Sequence, residues 1–162
     1  MKFKTTDLYD EHLEKLQVAA PIFRDFGGRT CFSGEIATLK ALEDNTFIKA
    51  AFETDGHGKV LVVDGGGSMR CAMIGDVMAG LGSNNGWEGI VINGCIRDSA
   101  DVGKVDIGVK ALGTIPRKTV KRNQGVRDIP VHFADITFNP GDWLYADEDG
   151  IVISPHNLLA KS

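Results

Sequence analysis

The sequence predicts one mixed α/β domain over residues 1–162, and three observations carry that reading. Two short runs, residues 60–63 and 90–92, are continuously apolar, the mark of strands covered on both faces. The stretch between them can form only a short helix, because glycine punctuates it. No linker, internal repeat or low-complexity stretch divides the 162 residues, a length that suits one domain with its own core.

The elements follow in order. Residues 8–22 carry apolar side chains at roughly helical spacing and are expected to form an N-terminal helix. GEIATLKAL, residues 34–42, alternates well enough for a half-buried strand. NTFIKAAFET reads as a helix with Asn45 or Thr46 as its cap. KVLVVDGGG is the clearest strand, and its closing glycines are expected to make a tight turn. GDVMAGLGSNNG supplies the short helix and GIVINGCIRD the second buried strand. A helical turn from Asp98, a strand over residues 109–112 and a polar loop over 117–128 come next; the loop carries Arg117, Lys118, Lys121, Arg122 and Arg127. Strands are expected at 131–133, 136–138 and 151–154, with PGDWLYADEDG among them as turns.

Composition narrows the function. Eighteen basic against 22 acidic side chains leave a net charge of −4, so nucleic-acid binding through phosphate neutralisation is not expected. Cys31, Cys71 and Cys95 are odd in number and widely spaced, which fits buried thiols in a reducing compartment. The opening MKFKTTDLYDEHLEKL is charged throughout, and no apolar run nears membrane-spanning length; a cytoplasmic protein is expected, with no membrane partner. The glycines at 65–67 are not followed by a phosphate-loop or dinucleotide fingerprint, and DEDG lacks the remaining positions of a calcium loop. His12, His57, His132 and His156 are scattered, and there is no GxSxG. Arg24 and Arg29 read as interface or packing residues.

What remains are two polar clusters, each downstream of a buried strand, where ligands of α/β sheets bind. Gly75 and Asp76 open the short helix, whose first amides, those of Val77 and Met78, could hold a carboxylate. Asp76 could equally cap the helix. Arg97 next to Asp98 puts a fork for an oxyanion beside a hard oxygen ligand suited to Mg²⁺ or Mn²⁺. Asp101, three residues on, would share a face with Asp98. An Arg-Asp dipeptide is also what a surface ion pair looks like.

Taken jointly, Asp76, twenty intervening residues, Arg97-Asp98 and then Asp101 resemble the D-x20-R-D signature of one family. It comprises the 4-hydroxy-4-methyl-2-oxoglutarate aldolases and the regulators of ribonuclease activity A. FGGRTCFSGEIATLKALEDN, GKVLVVDGGGSMR, NGWEGIVINGCIRD and PGDWLYADEDGIVISP are similar to its short, regulator-type branch, over nearly the whole chain. The resemblance implies a swivelling β/β/α fold of the phosphohistidine-domain type. It implies a homotrimer, or a dimer of trimers, with sites at subunit borders. It implies divalent-metal-dependent cleavage of 4-hydroxy-4-methyl-2-oxoglutarate to two pyruvates, with oxaloacetate decarboxylation as a second activity. By position, Gly75, Asp76, Val77 and Met78 would bind the pyruvyl carboxylate, Arg97 the pyruvyl oxygen, and Asp98 the Mg²⁺ or Mn²⁺ ion. Asp76 would lie near a water on that metal, as a catalytic residue with Arg97, and Asp101 in the shell behind. The alternative it implies is a regulator that binds and inhibits ribonuclease E; some members of that branch lack the aspartate that stands here as Asp98.

Overall fold

In the computed structural model, which describes residues 2–160, the chain opens with helix α1 (Thr5–His12) and a 3-10 turn (Leu13–Lys15). Two short strands follow, β1 (Gln17–Val18) and β2 (Arg24–Asp25). The centre is built by β3 (Phe32–Lys40), α2 (Thr46–Phe52), β4 (Lys59–Ile74), α3 (Asp76–Asn84) and β5 (Gly89–Ile96). Then come α4 (Ser99–Val102), β6 (Gly108–Ala111), β7 (Gly113–Thr114) and β8 (Val126–Arg127). A hairpin of β9 (Val131–Phe133) and β10 (Ile136–Phe138) precedes β11 (Trp143–Asp147) and β12 (Gly150–Ser154).

Ten strands form one mixed sheet in the order β1-β12-β11-β3-β4-β5-β6-β2, with β7 beside β5 and β8 beside β3. The strands β3, β4, β5 and β6 run parallel, joined by helical crossovers, while β11, β12 and β1 add antiparallel neighbours. This is the mixed α/β fold expected from the sequence. Along β4 the apolar run alternates between two cores. Leu61 and Val63 pack with Ile48 and Phe52 of α2, while Val60 and Val62 pack with Phe133 and Phe138 of the hairpin. All four residues of the run are almost wholly buried, as a strand covered on both faces requires.

Four expectations are corrected. The N-terminal helix stops at His12 rather than reaching residue 22: Leu13 takes φ 45°, and Gln17–Val18 pairs with β12 instead. Pro21 cannot sit in a helix interior, and the β12 edge satisfies the backbone that a helix would have closed on itself. The second strand starts two residues before the expected 34–42 and ends at Lys40, leaving Leu42 exposed. The glycines at 65–67 do not end β4. Gly66 and Gly67, at φ 69° and 71°, bend a strand that continues to Ile74 through shifts in its register with β5. Within PGDWLYADEDG, Trp143–Asp147 is a strand hydrogen-bonded on both sides, to β3 and β12; the residues that turn are Pro140 and Gly141 before it and Glu148 and Asp149 after it. All three cysteines are free thiols; Cys71 and Cys95 are buried as expected, whereas Cys31 is only half-buried. No helix among the described residues is long and apolar enough to cross a membrane.

Candidate active site

Strands β4 and β5 are parallel neighbours, and Ile74 pairs with Ile96 at their carboxyl ends. The residues that follow are therefore brought together by the sheet itself: Gly75 and Asp76 after β4, Arg97 and Asp98 after β5. The Arg97 amide donates to the Ile74 carbonyl at 2.9 Å, which fixes the two exits side by side. They open into a cleft of about 270 Å³ lined by Gly75, Asp76, Val77, Met78, Arg97 and Asp98. Six site residues read from the sequence thus share one cavity.

Gly75 caps α3, and the first helical hydrogen bond runs from Ala79 to the Gly75 carbonyl at 3.0 Å. The amides of Asp76, Val77 and Met78 come before that bond and have no acceptor inside the helix. Asp76 is consequently the first helical residue, not the cap. The Val77 side chain is exposed, so that residue offers the cleft mainly its backbone.

Asp98 stands in the left-handed region, φ 53° and ψ 41°, immediately before α4. That conformation, tolerated by aspartate better than by most side chains, turns its carboxylate back onto Gly75. A β-carbon built on Gly75 would lie 2.6 Å from Asp98 Oδ2. Arg97 Nε is 3.9 Å from the same oxygen, and both side chains stay partly open to solvent. Arg97 Nη1 also donates to the Pro116 carbonyl at 3.4 Å. Asp101 does not line the cleft; its exposed carboxylate lies 3.7 Å from Lys104 Nζ.

Three lysines and an asparagine complete the wall. Lys49 and Asn45 come from α2 and its approach, and Lys118 and Lys121 from the polar loop. With Arg97 they set four cations against two carboxylates, Asp76 and Asp98, so the cleft attracts anions. Asn45 Nδ2 donates to the Met73 carbonyl at 2.9 Å, while its Oδ1 is buried with no hydrogen-bond partner among the described residues. In the sequence Asn45 read only as a helix cap, Lys49 only as part of that helix, and Lys118 and Lys121 only as loop charge; nothing local placed them at the site.

A partly exposed carboxylate, Asp98, suits a divalent ion that takes few protein carboxylates and fills its remaining positions with water and substrate, while Arg97 and the amides of the Gly75 turn suit the substrate's anionic oxygens. Among the described residues no cluster of three acidic, histidine or cysteine side chains exists to build an all-protein cage. The donor set fits a hard ion on Asp98, completed by a substrate. Burial raises both Cys71 and Cys95 thiols above their ordinary range, which removes them as ready nucleophiles.

The model of the RraA-like family, described as Aldolase/RraA, matches residues 5–153. The chain belongs to the RraA-like family. A relative from Alkalilimnicola ehrlichii, provisionally named 4-hydroxy-4-methyl-2-oxoglutarate aldolase, is 54% identical over 159 residues, 98% of this chain and 99% of its own. One of the same name from Dechloromonas aromatica is 54% identical over 158 residues, covering 95% and 97%. The RNA-processing inhibitor RraA from Thermus thermophilis superposes with a TM-score of 0.93 at 37% identity, over 99% of both chains. A Geobacillus kaustophilus structure named S-adenosylmethionine:2-dimethylmenaquinone methyltransferase gives 0.96 at 46% identity, also over 99% of both.

Proposed function

We propose that this RraA-like protein is a divalent-metal-dependent lyase that cleaves small keto acids to pyruvate. Its preferred reaction is the conversion of 4-hydroxy-4-methyl-2-oxoglutarate to two pyruvates, with oxaloacetate decarboxylation as a second activity. The observation that carries this reading is the meeting of the Gly75 turn and the Arg97–Asp98 pair in one cleft of about 270 Å³. The aldolase names of relatives at about half identity support it.

The free amides of Val77 and Met78 are suited to the pyruvyl carboxylate, aided by the positive end of α3. Arg97 brings fixed positive charge to the keto oxygen, where an enolate develops as the carbon–carbon bond breaks. Asp98 would hold Mg²⁺ or Mn²⁺, which when bound supplies Lewis acidity to that same oxygen. Asp76 is suited to orient a water that takes the C4-hydroxyl proton; the C3–C4 bond breaks with its electrons passing to the enolate, the C4 fragment leaves as one pyruvate, and return of the proton through that water to C3 gives the other. Lys49, Lys118 and Lys121 line the same cleft and are suited to receive the distal carboxylate of such dicarboxylic substrates. Decarboxylation of oxaloacetate needs no base, so it survives loss of Asp76 better than the aldol route.

The cleft is at the small end of ligand sites. That size favours a small keto acid over the adenosyl donor and quinone in the Geobacillus protein's name. A homotrimer with the cleft at a subunit border is part of the same reading and is checked by light scattering. The test of the function is pyruvate formation from both keto acids with Mg²⁺, with EDTA, and against metal alone. Release above the metal-only rate that EDTA abolishes supports the lyase; none above it rejects the lyase. The likeness to the Thermus inhibitor favours one second reading, a regulator that binds ribonuclease E. A pull-down with ribonuclease E at physiological salt decides that one separately.

A further inference from the structure

We propose that Asp44 is a positioning residue that holds the lysine loop over the cleft and so sets selection for substrates with a distal carboxylate; this rests on the lyase reading above. The Asp44 side chain is completely buried, yet among the described residues no cation pairs with it. It accepts hydrogen bonds from neutral donors on two different segments. Oδ1 receives the Thr46 amide at 2.9 Å and the Thr46 hydroxyl at 2.6 Å, at the start of α2. Oδ2 receives the amides of Arg122 at 2.7 Å and Gln124 at 3.1 Å, from the polar loop.

That loop is tied at both ends. The Arg117 carbonyl accepts the Ala72 amide at 2.7 Å, and β8 pairs with β3 through Val126 and Arg127. Between those ties the chain from Val120 to Gly125 is exposed, and Asp44 supplies its anchor to the protein body. Asn123, between the two anchored amides, takes φ 56°, the local twist that lets both point at one oxygen. Lys118 and Lys121 lie just before the anchor, while Asn45 and Lys49 lie just after Asp44 on the other segment. Lys118 has its own bridge to Ala72, so the Asp44 carboxylate sets chiefly the distance from Lys121 to the wall that carries Lys49.

Only a carboxylate at the reach of aspartate does this. Its two oxygens are acceptors alone, matching four donors. Asparagine would turn one oxygen into a donor and oppose either the Thr46 pair or the loop pair. The Thr46 contacts close a two-residue turn and the loop contacts a far longer one, so the loop is the side that lets go.

The test compares wild type, Asp44→Asn, Asp44→Glu and Thr46→Val, using Mg²⁺ with 4-hydroxy-4-methyl-2-oxoglutarate as substrate and oxalate as inhibitor. Oxalate mimics the pyruvate enolate and has no distal group. In Asp44→Asn the KM is expected to rise about tenfold with kcat within about threefold, while the oxalate inhibition constant stays unchanged. The amides of Arg122 and Gln124 should exchange faster by mass spectrometry. Thr46→Val, which removes only the helix-side hydroxyl, should leave KM alone. An unaltered KM, or an equal rise in the oxalate constant, overturns the proposal. So does a KM rise in Thr46→Val as large as in Asp44→Asn. Should Asp44→Asn fail to fold, Asp44→Glu, which keeps the charge but overreaches by one methylene, gives the same readouts. A wild type that releases no pyruvate instead rejects the lyase reading.

Discussion

The carboxylate of Asp98 rests on the α-carbon of Gly75, so closely that any β-carbon there would meet its Oδ2 at 2.6 Å. Residues 75 and 98 leave adjacent strands, and glycine at one is what lets the other fold back over the cleft. Gly75→Ala therefore should act on Asp98 rather than on the backbone, since Gly75 at φ −131° is in ordinary extended conformation. A displacement of this kind near reacting atoms is expected to lower metal-stimulated pyruvate release about 100-fold. The melting temperature, read by calorimetry, should change little.

On the lyase reading, Asp98→Asn takes away the charged metal ligand and should abolish the Mg²⁺-dependent rate while leaving the fold intact, because asparagine also tolerates the left-handed conformation and the side chain is nearly half exposed. Arg97→Lys keeps the charge but loses the fork. It is expected to cost about 10²-fold in kcat, measured as pyruvate released per site.

Two glycines of α3 should respond in opposite directions to alanine. Nothing lies within 4 Å of a β-carbon at Gly80, so Gly80→Ala gains helix propensity, about 1 kcal/mol. At Gly82 the same methyl would stand 2.8 Å from the ring of Phe52, which is fully buried against Trp87. Overpacking of about 1–3 kcal/mol outweighs the propensity gain there. Chemical denaturation of the two variants checks both signs.

Asp44 gives an acid limb of known direction. Burial pushes its carboxyl up, but the Thr46 hydroxyl and the amides of Thr46, Arg122 and Gln124 outweigh burial and hold it at about 2, below the ordinary 3.8. A depressed folded-state value contributes stability that is present above pH 3.8 and lost as pH falls toward 2. Melting temperatures across that window should fall less steeply in Asp44→Asn than in wild type. Equal slopes would show that Asp44 carries none of the acid sensitivity.

Much of this was legible in the sequence where a signal was local. The strands around residues 60–63 and 90–92 announced themselves because both faces are buried, and the polar clusters after them fell at strand ends by construction. The Trp143–Asp147 strand was hidden by flanking Pro, Gly and Asp, although its four apolar residues pair on both sides. Spacing alone overextends the first helix, because it cannot show that the β12 edge competes for residues 17 and 18. At the site, Gly75 to Met78 and Arg97–Asp98 converge as expected, whereas Asp101 lies outside the cleft beside Lys104. Asn45, Lys49, Lys118 and Lys121 reach the cleft only through tertiary contacts. Asp44, a single letter beside a helix cap, ties the loop across a separation of about 80 residues that no pattern displays.

A crystal structure with Mn²⁺ and oxalate measures the central arrangement directly. Anomalous density should appear at Asp98, with one oxalate carboxylate on the amides of Val77 and Met78 and Arg97 beside its outer oxygen. Manganese bound elsewhere, with oxalate absent from the Gly75 turn, would contradict the account.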